Sequence, residues 1–269
     1  MTDVDAHAIG IFDSGVGGLT VYRRIIERLP RENVVYLGDT ARVPYGAKSA
    51  ETVERYARNC AAILIKRGIK LLVVACNTAS AFALDILRQE LDIPVIGVVE
   101  PGAQSAAEQS RTGCIGVIGT AGTIASGAYQ EAIETHFPGA DIYCTSCPLF
   151  VPLAEEGWLT GTVPELVTQQ YLSPLLDAGI DTLVLGCTHY PLLKAVIAKV
   201  AGDHVVLVDS AEATSRVVEE TLIGLGITRE ASGAPERYFL VTDGPDTFAR
   251  TGALFLGNPI HGVSWVDVQ

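Results

Sequence analysis

The chain has 269 residues, enough for about two domains with cores of their own. It is rich in glycine, poor in aromatic residues, and draws its apolar content mainly from alanine, valine, isoleucine and leucine, the usage of buried parallel strands covered by helices. A net charge of −12 excludes the positive footprint of a nucleic-acid binder, so no nucleic-acid partner is expected. The apolar stretches fall far short of the roughly 20 residues a spanning helix needs, so no membrane association is expected either.

Ten apolar runs of strand length alternate with helical patterns, at about 8–12, 33–37, 69–75, 94–98, 114–118, 140–144, 182–186, 204–208, 237–242 and 262–266. Before the first, Met1-Thr2-Asp3-Val4-Asp5 is acidic and lacks the charged and apolar regions of a secretory signal. After it, Gly15-Val16-Gly17-Gly18 has neither the Lys-Ser/Thr ending of a P-loop nor G-x-G-x-x-G spacing, and reads as a tight turn whose backbone approaches a small anion. The next helix carries Arg23, Arg24 and Arg28, with Arg31 at its exit, and is expected to present them as a solvated face. Over 50–67, Val53, Tyr56, Ala57, Cys60, Ile63 and Leu64 recur at helical spacing, and Gly68 closes the helix. The third run ends in Cys76-Asn77-Thr78.

In the second half, Cys144-x-x-Cys147 is followed directly by Pro148, which points to a turn. No second cysteine pair or paired histidines accompany it, so no metal site is expected. Thr162-Val163-Pro164-Glu165 has the spacing of a capping box and should open a helix that ends at Gly179. The seventh run ends in Cys187-Thr188-His189. Cys60 and Cys114 read as core, and His7, His136, His204 and His261 as structural. Six cysteines in a chain of this length do not resemble a disulfide scaffold, and a reducing cytoplasm is the expected location.

Alternating strands and helices imply an α/β fold with mostly parallel sheets. The halves also repeat. Ile9–Gly15 parallels Ile115–Ala121 with Ser14 opposite Thr120, Arg42-Val43-Pro44 parallels Phe150-Val151-Pro152, and Cys76 parallels Cys187. The offsets drift from 106 through 108 to 111 residues, as small loop insertions would make them. Two similar domains are therefore expected, 100–209 forming the second and 1–99 the first, the latter completed by the returning segment 210–269.

Ligands of open α/β sheets bind beyond the carboxyl ends of the strands. Four segments meet that description: Asp13-Ser14, Cys76-Asn77-Thr78, Thr120 through Thr123, and Cys187-Thr188-His189. The helix starts that follow offer free N–H groups and a partial positive charge, suited to a carboxylate and able to draw a thiol toward its reactive form. One such cysteine is ordinarily core; two in matched settings suit a reaction that needs equivalent groups on opposite sides of a substrate. A cysteine hydrolase built on Cys187 and His189 is the alternative, and it leaves Cys76 without a role.

Taken together, Gly10-Ile11-Phe12-Asp13-Ser14-Gly15-Val16-Gly17-Gly18, Gly38-Asp39-Thr40-Ala41-Arg42-Val43-Pro44-Tyr45-Gly46, Ala75-Cys76-Asn77-Thr78-Ala79-Ser80 and Gly186-Cys187-Thr188-His189-Tyr190-Pro191-Leu192 resemble the glutamate racemases of the cofactor-independent aspartate/glutamate racemase superfamily. The resemblance runs from about residue 8 to about residue 262. It implies two α/β domains facing each other about a pseudo-twofold axis, with the active site in the cleft between them. It also implies interconversion of L- and D-glutamate by two-base proton transfer at Cα, without cofactor or metal, supplying D-glutamate for peptidoglycan, and a homodimer. The resemblance makes Cys76 and Cys187 the catalytic pair, Cys76 serving D-glutamate and Cys187 L-glutamate. Asp13 is the implied acid–base support for the first, with Glu155 and His189 for the second. Implied substrate contacts are Asp13, Ser14, Tyr45, Gly46, Asn77, Thr78, Thr120, Thr123, Thr188 and His189. Activator-dependent members carry an N-terminal extension; seven residues precede the first strand here, so that regulation is not expected. Arg42 is the nearest cation to these motifs, and its part in the site stays open. Hydrogen bonds and dipoles, rather than salt bridges, are expected to recognise the substrate.

Overall fold

A computed structural model describes residues 7–230 and 232–268, so the acidic segment Met1 to Asp5 lies outside the described residues. The first half runs β1 (Ala8–Asp13), α1 (Leu19–Arg28), β2 (Val34–Gly38), α2 (Ala50–Ile65), β3 (Ile69–Val74), α3 (Asn77–Glu90), β4 (Val95–Gly97) and α4 (Val99–Gln109). There follow β5 (Cys114–Gly119), α5 (Ala121–Ala125), α6 (Ala128–His136), β6 (Asp141–Ser146), α7 (Phe150–Glu155), α8 (Thr162–Asp177), β7 (Thr182–Gly186), α9 (Lys194–Ala201) and β8 (Val206–Asp209). The chain closes with α10 (Ser210–Leu225), β9 (Arg237–Val241), α11 (Pro245–Leu256) and β10 (Val263–Trp265).

Two parallel sheets result, of order β10-β9-β2-β1-β3-β4 and β6-β5-β7-β8. The order β2-β1-β3-β4 recurs as β6-β5-β7-β8, so the sequence repeat is a repeat of topology, and Cys76 and Cys187 follow the equivalent strands β3 and β7. Strands β9 and β10 extend the first sheet beyond β2.

The central strands read as mostly apolar runs because both faces of each sheet are covered there, whereas the edge strands β6 and β10 are partly exposed. On the first sheet, Leu19, Tyr22 and Ile25 of α1 join Val218 of α10 and Phe248 of α11 on one side. Val53, Ala57 and Leu64 of α2, with Ala83 and Leu87 of α3, cover the other. The second sheet is enclosed by Phe150, Leu172, Leu175 and Ile197 on one face and by Ala103, Ala106, Tyr129 and Ile133 on the other. Each large aliphatic side chain so buried contributes about 1.5–3 kcal/mol. At the amino end of β3, away from the strand ends that carry the cysteines, buried Lys70 pairs with buried Glu32 at 2.7 Å and donates to the Ile227 carbonyl at 2.7 Å. That arrangement ties the segment after α10 to the first sheet.

Two expectations change. The capping box does not form: Gly161, at φ 98°, occupies the N-cap of α8 with no side-chain cap, so the helix begins one residue earlier than a Thr162 cap requires. Glu165 accepts instead from Lys199 Nζ at 2.6 Å. Nor is the basic face of α1 merely solvated. Arg28 meets Glu212, Glu219 and Ser215 of α10 at 3.0–3.1 Å, and Arg24 reaches Glu212 at 3.5 Å. A basic helix has packed on an acidic one, each half-exposed pair contributing about 0.2–1 kcal/mol. Among the described residues no helix is long and apolar enough to cross a membrane.

Candidate active site

The carboxyl ends of β1, β3, β5 and β7 wall one cavity of about 220 Å³. Ser14 and Gly15 come from the turn after β1, Cys76, Asn77 and Thr78 from the start of α3, Thr120 from the end of β5, and Cys187, Thr188 and His189 from the end of β7. Val43, Pro44, Tyr45 and Gly46 close it from the first half; Val151, Pro152 and Glu155 close it from the second. The repeat partners Val43-Pro44 and Val151-Pro152 thus both line the cavity.

Small residues let the halves come this close. A Cβ on Gly17 would lie 2.3 Å from Thr188 Oγ1 and 2.5 Å from His189 Nδ1, and one on Gly46 would lie 2.5 Å from Thr120 Cβ. Thr20 Oγ1 hydrogen-bonds to the Thr188 carbonyl at 3.1 Å. The hydroxyls of Thr78, Thr120 and Thr123 form a triangle with sides of 2.9, 3.0 and 3.1 Å.

The surroundings of the two thiols differ. Beneath Cys76 lies Asp13, fully buried, whose Oδ2 accepts from the Gly15 N–H at 2.9 Å. The glycine turn thus holds this internal carboxylate, and Gly15 also lines the cavity. Gly18 packs against the same side chain, where a Cβ would stand 2.5 Å from Asp13 Cβ. Burial raises the Asp13 pKa, countered in part by the charge of His189 and by backbone N–H groups of the turn. Burial, reinforced by the Asp13 charge, pushes the Cys76 thiol up to about 12 despite hydrogen bonds from the Ala79 N–H and Ser14. Cys76 therefore rests as a thiol.

Cys187 Sγ lies 3.8 Å from His189 Nδ1, and His189 Nε2 is 2.8 Å from Glu155 Oε1. Burial alone would lower the His189 pKa, but its hydrogen bonds and charge interactions with Cys187 and Glu155 outweigh it and raise the value to about 10. Phe255 of α11 meets the imidazole edge-on, with ring centroids 5.2 Å apart. Glu155 is half-exposed, at the border of a second cavity of about 300 Å³ that reaches to Thr247 and Thr251.

Most of the residues singled out in the sequence meet in this wall. Asp13 and Thr123 stand behind it, fully buried, beneath Cys76 and beside Thr120 respectively. Tyr45 contributes to the wall, but its hydroxyl donates to Asp39. Arg42 is not part of the wall: its Nε bonds Asp39 at 2.7 Å and its guanidinium lies 4.2 Å from the Tyr56 ring centroid. Sequence reading singled out neither Thr20 nor Tyr129, and it placed Gly17 in a turn without its contact to Thr188 and His189; all three roles depend on the other half of the chain. Val151-Pro152 was signalled only by its repeat offset. Among the described residues no group of three or more His, Cys, Asp or Glu side chains is placed to hold a metal ion, and all six cysteines are free.

Residues 9–218 match the Asp/Glu/Hydantoin racemase family. The chain is 56% identical to a glutamate racemase of Geobacter metallireducens over 97% of both proteins, and 49% identical to one of Syntrophus aciditrophicus over 98% of both. The crystal structure of glutamate racemase from Francisella tularensis in complex with D-glutamate superimposes with a TM-score of 0.93 at 38% identity, covering 98% of this chain and 99% of that one. Sequence and fold agree, and the chain belongs to the Asp/Glu/Hydantoin racemase family, among its glutamate racemases.

Proposed function

We propose that the protein is an isomerase that interconverts L- and D-glutamate without cofactor or metal, using Cys76 and Cys187 as the two proton-transfer groups. The observation that carries this reading is the presence of both thiols in the wall of one small cavity, each supplied by a different sheet. Racemisation removes the Cα proton from one face and delivers another to the opposite face. For one direction, a thiolate on one cysteine takes the Cα proton and the carbanion-like centre takes the proton of the other thiol; the reverse direction exchanges the roles. The family resemblance assigns Cys187 as base toward L-glutamate and Cys76 toward D-glutamate. His189, held by Glu155, balances negative charge on Cys187, and Asp13 is the group placed to exchange a proton with Cys76.

Recognition follows from the wall. Among the described residues it contains no lysine or arginine, and His189 is its one cationic side chain. The hydroxyls of Ser14, Thr78, Thr120 and Thr188, the Asn77 amide and the N–H groups that open α3 supply the donors for carboxylates and for charge developing on the α-carboxylate. Thr123 fixes Thr78 and Thr120, and Tyr45 and Gly46 shape the adjoining wall, Gly46 packing directly against Thr120.

The wider role that fits this activity is supply of D-glutamate for peptidoglycan, and so cell-wall construction and cell shape, in the cytoplasm. We further propose a homodimer and a division into 1–99 with 210–269 and 100–209. The line Cys187–His189–Glu155 also has the order of a nucleophile, base and orienting carboxylate, as a thiol hydrolase would use. The racemase reading is preferred because it gives Cys76 a role, and release of product from amide or ester substrates would reverse that preference. Circular dichroism of separate L- and D-glutamate solutions, with purified protein and no added cofactor, tests the proposal. Both signals should decay to zero; signals that persist overturn it.

A further inference from the structure

Tyr129 of α6 belongs to the second half, yet its hydroxyl donates to Asn77 Oδ1 at the start of α3 in the first half, at 2.7 Å. Both side chains are buried. The phenol sits in a close-fitting slot: a Cβ on Gly186 would meet the Tyr129 ring at 3.0 Å, and one on Gly102 would meet its hydroxyl at 3.2 Å. Burial raises the Tyr129 pKa, so the phenol keeps its proton and remains a donor.

An asparagine amide has an acceptor at one end and two donors at the other. With Oδ1 held by the phenol, the donor end is left over, and Asn77 Nδ2 is buried with no hydrogen-bond partner among the described residues. Buried donors without partners are rare and call for an explanation. Here Asn77 is one of the residues that line the cavity, immediately after Cys76, and its Nδ2 is buried behind that lining.

We infer that Tyr129 is a positioning residue, which fixes the Asn77 amide across the two halves so that Nδ2 presents its donors to a substrate carboxylate in the cavity. The inference rests on the racemase reading above. Without the hydroxyl, the amide is free to turn Oδ1 toward an anion, which weakens binding of both enantiomers alike. The same contact makes the donor end of Asn77 depend on the halves being together.

Tyr129→Phe keeps the ring in its slot and removes only the hydroxyl. KM for both L- and D-glutamate should rise about tenfold with kcat within about twofold, the pattern of lost uniform binding. In an Asn77→Ala background the same substitution should change KM no further, because the two residues act as one unit. A Tyr129→Phe enzyme with wild-type KM, or one whose KM effect persists undiminished without the Asn77 amide, overturns the inference. A purely structural role would lower thermal stability without this dependence on Asn77. If Tyr129→Phe does not fold, nitrogen-15 NMR of the wild type decides: Asn77 side-chain amide resonances that shift on adding D-glutamate support the inference, and resonances that do not shift overturn it. A wild-type protein inert toward both enantiomers overturns the racemase reading instead. Tyr129 is then judged by whether losing its hydroxyl alters the Asn77 amide resonances, and unaltered resonances overturn the inference.

Discussion

Cys76 and Cys187 end equivalent strands of a repeated sheet, but Cys76 stands over a buried carboxylate, Asp13, whereas Cys187 stands beside a buried imidazole whose pKa Cys187 and Glu155 together raise. Repetition of the fold places the two thiols; under the proposed mechanism, the residues that differ between the repeats set how each handles a proton. A negative neighbour opposes a thiolate and a positive neighbour supports one. Under the proposed mechanism the two reaction directions therefore begin from unlike bases and need not share one pH profile.

The largest test removes either member of the pair. Cys76→Ser and Cys187→Ser should each slow racemisation about 10³-fold or more in both directions, since each group acts in both. Either variant turning over at near wild-type rate, followed by circular dichroism, ends the two-base scheme. The next test unbalances the two sites. Glu155→Gln removes one of the interactions that raise His189, so the imidazole should lose its proton at a pH below about 10, and kcat/KM from L-glutamate should fall about tenfold. An L-glutamate pH profile superimposable on that of the wild type would remove His189 and Glu155 from the mechanism. The same raised pKa has a stability sign: stabilisation from charged His189 is complete below its ordinary value of 6.5 and is lost as pH rises through about 10. Denaturant titrations of wild type and His189→Asn should therefore converge across that window, and a constant gap would contradict the ion pair.

A smaller effect separates the site from its support. Asp181, at the far end of β7 from Cys187, accepts from Ser110 Oγ, Thr182 Oγ1, Thr112 Oγ1 and the Arg111 and Thr112 N–H groups at 2.7–2.9 Å. Burial would raise its pKa, but these five donors hold it below the usual carboxylate range, so its stabilisation is present above pH 3.8 and is lost as pH falls further. Asp181→Asn should cost about 1–3 kcal/mol in denaturant unfolding and leave turnover unchanged. Lost turnover at full stability would place Asp181 in the active site's workings. The smallest expected change is Thr162→Ala, within about 0.5 kcal/mol, because Thr162 caps nothing. A loss of 1 kcal/mol or more would restore the capping box.

Much of this was legible in the sequence because central strands buried on both faces leave apolar runs, and a strand forms at each of the ten runs. The repeat was legible through Ser14 with Thr120 and Cys76 with Cys187, since strand ends carry the functional side chains. Contacts that depend on the other half were not. The Tyr129 hydroxyl meets Asn77 only after the halves close, and Gly17 is needed only because Thr188 and His189 come to lie against it. The capping box misled because its spacing is satisfied by Thr162 and Glu165 whether or not Gly161 enters the helix first. Arg42 stood beside the motifs in sequence, but Asp39 and Tyr56 hold it outside the wall.

The most direct test of opposed thiols with separate protons is racemisation in deuterium oxide, read by NMR at Cα early in the reaction. Starting from L-glutamate, newly formed D-glutamate should carry deuterium at Cα while the remaining L-glutamate stays protiated, and the converse should hold from D-glutamate. Product that retains its original Cα proton would mean that one base carries it from face to face, and would contradict the account.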